Sequence, residues 1–220
     1  SNLMDQSNQR ANPSFYGLGI APGILSVLEK INYRVPTPIQ CQSIPIALEG
    51  KDIVGVAQTG TGKTLAFGIP MIQKLSSSAG LGLVLSPTRE LALQTDLELR
   101  KVGQSLGLKT AVLIGGVAIW PQKEALRKNP NIIIATPGRL IDHLKQRTAN
   151  LQRVNILILD ESDRMLDMGF WPQVSEILRL IPRERQTMLF SATLSPAIMK
   201  IASANMKLPR QVIPAQGVYA

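Results

Sequence analysis

The stretch Asp52-Ile53-Val54-Gly55-Val56-Ala57-Gln58-Thr59-Gly60-Thr61-Gly62-Lys63-Thr64 decides the fold. It opens with a short β-branched run, passes through a glycine-containing turn and continues into helical sequence from Lys63. Strand, loop and helix in that order are the context a phosphate-binding P-loop needs. Gly60 and Gly62 permit backbone angles that turn successive amide hydrogens toward one centre, and the following helix adds the positive end of its dipole. Gln58, Thr59, Gly60, Thr61, Gly62, Lys63 and Thr64 are therefore expected to hold the phosphates of a nucleotide. Lys63 belongs on the β and γ phosphates and the Thr64 hydroxyl on Mg²⁺. Ala57 stands where the strict pattern has its first glycine. The bland alternative is a turn that merely joins strand to helix, and the adjacent Lys63-Thr64 pair speaks against it.

Outward from this loop, β-branched and Leu-rich runs recur at 52–56, 81–86, 110–114, 131–135, 154–159 and 187–190. Several are apolar on both sides instead of alternating, as strands of a parallel sheet covered on each face are. Helical patterns fill the gaps at 22–31, 38–48, 63–75, 90–106, 123–127, 138–147, 174–180 and 196–205. The expected fold is α/β, a doubly wound and mainly parallel sheet. Ser195 before Pro196 and Thr37 before Pro38 read as helix caps followed by a first-turn proline. Residues 76–80 read as a flexible connection, and the pattern dissolves beyond Lys207, where Pro209, Pro214 and Gly217 read as a linker.

Composition limits the function. With 220 residues, 45% hydrophobic and 18% charged, the chain suits one globular core and excludes a disordered chain. Lys and Arg outnumber Asp and Glu 24 to 15, a formal charge of +9, which favours polyanionic partners. Aromatics are only 4%, so nucleic acid would be gripped by its phosphates and not by rows of stacking rings. Cys41 is the only cysteine, which excludes an intramolecular disulfide and a cysteine-based zinc cage. His143 is also alone and reads as a surface helix residue without a function. The uncharged segment 11–28 is broken by Pro13, Gly17, Gly19, Pro22 and Gly23, so no membrane span is expected. Ser1-Asn2 reads as a tag remnant heading a tail at 1–14, and without a secretory pattern at the start a cytoplasmic location is expected.

The apolar run 154–159 delivers Asp160-Glu161-Ser162-Asp163 at its C-terminal end, the edge where doubly wound sheets bind ligands. Asp160 is placed to hold hydrated Mg²⁺ and Glu161 to orient or deprotonate a water attacking in line. A solvated acidic turn is the alternative, disfavoured by the P-loop upstream.

Together these motifs resemble the first, RecA-like P-loop NTPase domain of the DEAD-box RNA helicases, over nearly the whole chain from Phe15. Phe15 and the run Tyr33-Arg34-Val35-Pro36-Thr37-Pro38-Ile39-Gln40 are similar to that family's Q motif, which implies ATP as the nucleotide. Gln40 would read adenine, with Phe15 and Tyr33 among the residues around the base. Pro87-Thr88-Arg89-Glu90-Leu91-Ala92, Gly115-Gly116 and Thr136-Pro137-Gly138-Arg139 resemble the RNA-contacting motifs. Their hydroxyls, amides and guanidinium groups suit phosphate oxygens without reading bases. Ser191-Ala192-Thr193 resembles the motif coupling hydrolysis to strand separation, with Ser191 expected to bond Asp163. Met165, Leu166 and Phe170 also match and read as packing. Ser162 departs from the family's alanine and would add a hydrogen bond near the coupling motif. The resemblance implies a second RecA-like domain with an arginine-rich motif, for which no second set of motifs stands here, so the chain is expected to be a monomeric half that hydrolyses poorly. An ATP-controlled RNA clamp that does not unwind would use the same motifs.

Overall fold

The computed structural model describes residues 13–215, so most of the tail read at 1–14 and the last part of the linker lie outside the described residues. In chain order the elements are α1 (Pro22–Lys30), α2 (Pro38–Leu48), β1 (Ile53–Val56), α3 (Lys63–Ser77), β2 (Leu81–Leu85), α4 (Arg89–Gly103), β3 (Thr110–Leu113), α5 (Trp120–Arg127), β4 (Ile132–Ala135), α6 (Pro137–Lys145), β5 (Val154–Leu159), α7 (Ser162–Asp167), α8 (Trp171–Leu178), β6 (Gln186–Ser191), α9 (Pro196–Asn205) and β7 (Arg210–Val212). The strands form one seven-stranded sheet in the order β3-β4-β2-β5-β6-β1-β7. Every pairing is parallel.

The continuous apolar strands are explained by helices on both faces. Along β5, Ile156 and Ile158 pack into one core with Phe67, Leu99 and Phe190, while Leu157 and Leu159 pack into the other with Leu140, Val174 and Ile198. Successive side chains point to opposite faces, so a strand buried on both must be apolar throughout. Gly55 of β1 lies under Phe190, whose ring would meet an added Cβ at 2.7 Å.

Two local readings change. The sheet continues past Lys207: β7 pairs with β1 through Ile53 and Arg210, Val54 and Gln211, and Gly55 and Val212. It escaped the pattern because it is three residues long, buries only Val212, and sits between Pro209 and Pro214. Thr37 stands at the N-cap of α2 before Pro38 as read, and its backbone N–H donates to Gln40 Oε1 at 2.9 Å. Ser195 does cap α9, accepting from Ile198 N–H at 3.2 Å. Finally, His143 is fully buried rather than on the surface, because α6 turns it toward α5, where Gln122 accepts from its ring. Among the described residues no helix is long and apolar enough to cross a membrane.

Candidate active site and polar groove

All strands being parallel, their C-terminal ends share one edge, and every motif that follows a strand leaves the sheet there, while the Tyr33–Gln40 run precedes β1. The strand order divides that edge. The P-loop after β1, Ser191 ending β6 and Asp160 after β5 stand together, while the turns after β2, β3 and β4 occupy the other half.

In the P-loop, Gly60 and Gly62 have φ of 86° and 83°. Gly62 is also required by space, since a Cβ there would lie 2.7 Å from Gln40 Nε2 and from Thr37 Oγ1. Thr61 Oγ1 donates to Gln58 O at 2.6 Å and closes the turn. Lys63 begins α3, and its Nζ lies 2.9 Å from Asp160 Oδ1 and 3.3 Å from Glu161 Oε2. The two loops are separated by β6, hence by roughly 10 Å of sheet, and the long lysine side chain closes that gap. Glu161 adopts left-handed backbone angles, φ 46° and ψ 54°, a conformation costing a non-glycine residue on the order of 1 kcal/mol or more.

Lys63 is 4% exposed and Asp160 not at all. Burial pushes the Asp160 carboxyl above its ordinary range, and the neighbouring Lys63 ammonium opposes that rise. Asp160 Oδ1 accepts from Glu161 N–H at 3.0 Å, but Asp160 Oδ2 and Lys63 Nζ have no aligned hydrogen-bond partner, so the lysine contact is an ion pair by distance alone. A buried pair left this incomplete is a poor stabiliser. The orphaned atoms fit a nucleotide with its cation: the ammonium has donors for phosphate oxygens and the carboxylate has a lone pair for a cation's hydration water. Among the described residues no cluster of three His, Cys, Asp or Glu forms a metal cage, so phosphates and water would complete the coordination, as Mg²⁺ commonly requires.

Beside the loop lies a cleft of about 690 Å³ lined by Phe15, Tyr33, Gln40, Thr59, Gly60, Gly62, Lys63 and Thr64, with Gln94, Leu97 and Glu98 of α4 opposite. Gln58 and Thr61 do not line it. Both ends of Gln40 are used within the chain, Oε1 accepting from Thr37 N–H and Nε2 donating to Gly62 O, each at 2.9 Å. The Tyr33 hydroxyl lies 3.3 Å from Glu98 Oε2, and burial, then Glu98, raises its pKa. The wall on α4 was missed; its signal is a half-exposed Leu97 at helical spacing from Gln94.

On the other half of the edge, Pro87, Thr88, Arg89, Gly115, Thr136, Pro137, Gly138 and Arg139 line a groove of about 460 Å³. Gly116, with φ 75°, lies outside its wall and lets Arg89 pass close over it. Arg89 Nη1 donates to Gly115 O at 3.3 Å, and Thr88 Oγ1 caps α4, accepting from Leu91 N–H at 3.2 Å. Met168, Phe170 and Gln173 also line the groove. Phe170 therefore does more than pack: it contacts one core and forms groove wall, because Gly169 with φ 74° turns the chain between α7 and α8.

The expected bond from Ser191 to Asp163 is absent. Ser191 is fully buried, and its Oγ accepts from Thr193 N–H at 3.4 Å, within its own turn. The Ser162 hydroxyl likewise turns back, donating to Leu159 O at 3.1 Å instead of reaching the coupling motif.

A parallel sheet with a P-loop, a lysine paired to two carboxylates and a nearby polar groove defines a RecA-like P-loop domain. The chain belongs to the DEAD/DEAH box helicase family, whose model matches residues 37–201. It is 46% identical to the ATP-dependent rRNA helicase RRP3 of Gibberella zeae over 94% of this chain and 43% of that protein. It is 44% identical to the DEAD-box ATP-dependent RNA helicase CshA of Bacillus subtilis over 90% of this chain and 41% of that protein. Among solved structures, a DEAD box protein from the hyperthermophile Methanococcus jannaschii superposes with TM-score 0.86 at 38% identity, covering 92% of this chain and 56% of that one. The yeast DEAD-box splicing factor Prp28 gives 0.86 at 35% identity over 92% of this chain and 51% of that one. The chain thus spans about half the length of the relatives it matches.

Proposed function

We propose that the chain is the ATP-binding domain of an ATP-dependent RNA helicase, in which nucleotide binding and hydrolysis change the grip on RNA and open short duplexes locally. The observation that carries this reading is the buried Lys63 set between Asp160 and Glu161 on the sheet edge it shares with the groove. The amides around Gly60 and Gly62, with Lys63, hold the β and γ phosphates. Thr64 and Asp160 would hold Mg²⁺, which would supply charge neutralisation at the transferring phosphoryl group. Glu161 takes the proton of the attacking water. Gln40 reads adenine by exchanging its bonds to Thr37 and Gly62 for bonds to the base, with Phe15 and Tyr33 around it. Pro87, Thr88, Arg89, Gly115, Gly116, Thr136, Pro137, Gly138 and Arg139 contact the sugar-phosphate backbone without reading sequence. Asp163, Ser191 and Thr193 link the two halves once nucleotide and RNA are bound.

The test uses the full-length protein. Lys63→Ala is expected to weaken ATP binding itself, and Glu161→Gln to keep ATP and RNA binding while turnover falls by a factor of at least about 10². Normal steady-state hydrolysis by Glu161→Gln refutes the assignment. ATP-dependent grip without displacement of a short RNA duplex makes the protein a clamp and not an unwinding enzyme.

A further inference from the structure

We propose that Gln122, held in turn by His143, is a positioning residue for the RNA groove: it locks Arg139 and the turn after β3 into one rigid unit. The inference rests on the reading of that groove as the RNA site. Gln122 sits on α5, is 6% exposed and does not line the groove. Its Nε2 donates to Ile114 O at 2.8 Å. Its Oε1 accepts from Arg139 Nη1 at 3.2 Å and lies 2.8 Å from His143 Nε2.

These partners leave the amide one orientation. A backbone carbonyl only accepts and a guanidinium only donates, so the Gln122 nitrogen must face Ile114 and its oxygen must face Arg139. His143 Nε2 then has an acceptor opposite it and must carry the proton. The other ring nitrogen, Nδ1, lies 2.8 Å from Thr148 Oγ1, whose single proton faces both Nδ1 and, at 3.2 Å, the His143 carbonyl oxygen. Gln122 therefore ties the residue after β3 to both ends of α6, and His143 extends the tie to Thr148 in the loop after α6.

Both tied points border the groove. Gly115 follows Ile114 and lines it. Arg139 Nη1 also donates to Val117 O at 3.1 Å, so the guanidinium braces the far end of the same turn. Among the described residues Arg139 Nη2 makes no hydrogen bond, and it remains available to a phosphate oxygen. Without Gln122 the Ile114 carbonyl and the His143 N–H would lose their buried partner, and Arg139 Nη1 would lose one of its two acceptors, leaving Val117 O and the Asp142 carboxylate, 3.5 Å from Arg139 Nε, to aim the guanidinium.

The experiment measures binding of a labelled single-stranded RNA to the 220-residue chain by fluorescence anisotropy across a salt series, with circular dichroism reporting folding. Arg139→Ala is expected to weaken binding roughly five- to tenfold and to reduce the salt slope by about 0.7, the signature of one lost phosphate contact on a single strand. Gln122→Met, similar in length without the hydrogen bonds, is expected to reproduce both changes, and the double variant to bind no more weakly than Arg139→Ala alone. His143→Phe is expected to weaken binding in the same way, and His143→Gln, which restores a donor toward Gln122, to recover it. That pair decides the matter if Gln122→Met does not fold. Gln122→Met binding like the parent while Arg139→Ala binds less overturns the inference, as do losses that simply add. Arg139→Ala with unchanged affinity and slope overturns the RNA reading of the groove, and the inference with it.

Discussion

Lys63 is far in sequence from the adjacent pair Asp160 and Glu161 yet lies within 3.3 Å of both, because parallel strands bring their C-terminal ends to a common edge. Each was legible alone, since the phosphate loop and the acidic run carry their chemistry in adjacent residues. His143 was not. Its partner Gln122 lies 21 residues away on another helix, and only the packing of α5 against α6 puts an acceptor opposite the ring. That burial has a measurable consequence. Desolvation first, then the charges of Arg139 and Lys123, lower the His143 pKa below its ordinary 6.5, against a smaller opposing effect of Asp142. The folded chain therefore binds this proton less readily than the unfolded chain. The stabilisation is fully present above the unfolded pKa and is lost as pH falls through 6.5 toward the lower folded value. His143 is the only histidine, so no other imidazole contributes in that window. Urea unfolding is expected to show lower stability at pH 5.5 than at pH 7.5, and His143→Gln to flatten that difference; an unchanged pH dependence in the variant would show that His143 does not titrate between the two states.

At the scale of elements, the six strands read from sequence all form, because strands buried on both faces are apolar over most of their length and so stand out, even β6, which buries Gln186, Thr187 and Ser191. The elements that escaped are short. Helix α7 spans six residues behind the acidic run, and β7 spans three at the sheet's margin, with only Val212 buried. Neither is long enough to display a period, and both depend on neighbours: α7 packs beside β6, and β7 takes its register from β1. This makes β7 part of the domain and not the beginning of a linker. It covers the edge of the strand that carries the phosphate loop, and Arg210 N–H donates to Asp52 O at 2.9 Å. Val212→Ala is accordingly expected to cost about 1–2 kcal/mol and lower the melting temperature by roughly 2–8 °C. Calorimetry on the variant checks this, and an unaltered melting temperature would return 208–220 to the status of a linker.

For the whole molecule, the sheet edge sets the P-loop with its acidic pair and the groove side by side, with β5 adjoining β2 where the two halves meet. Among the described residues the cations beside the acidic pair are engaged within the chain: Lys63 faces both carboxylates, and Arg164 Nη1 stands 3.7 Å from Glu161 Oε1. The Ser191 hydroxyl accepts within its own turn, so Ser191 and Asp163, which the proposal pairs, are not bonded to each other. Both observations support the proposal that a further domain must close over this edge before hydrolysis is fast, in keeping with relatives about twice as long as this chain. An arginine contributed from outside a P-loop site is worth about 10³–10⁵ in turnover. The 220-residue chain alone, saturated with ATP and RNA, is expected to hydrolyse more slowly than the full-length protein by a factor in that range, while its nucleotide affinity, set by the loop and cleft it already contains, changes far less. Single-turnover hydrolysis beside equilibrium nucleotide binding separates the two quantities. Equal rates would place every catalytic group within these residues, and a parallel collapse in affinity would mean that the cleft, and not only the closing cation, is completed from outside.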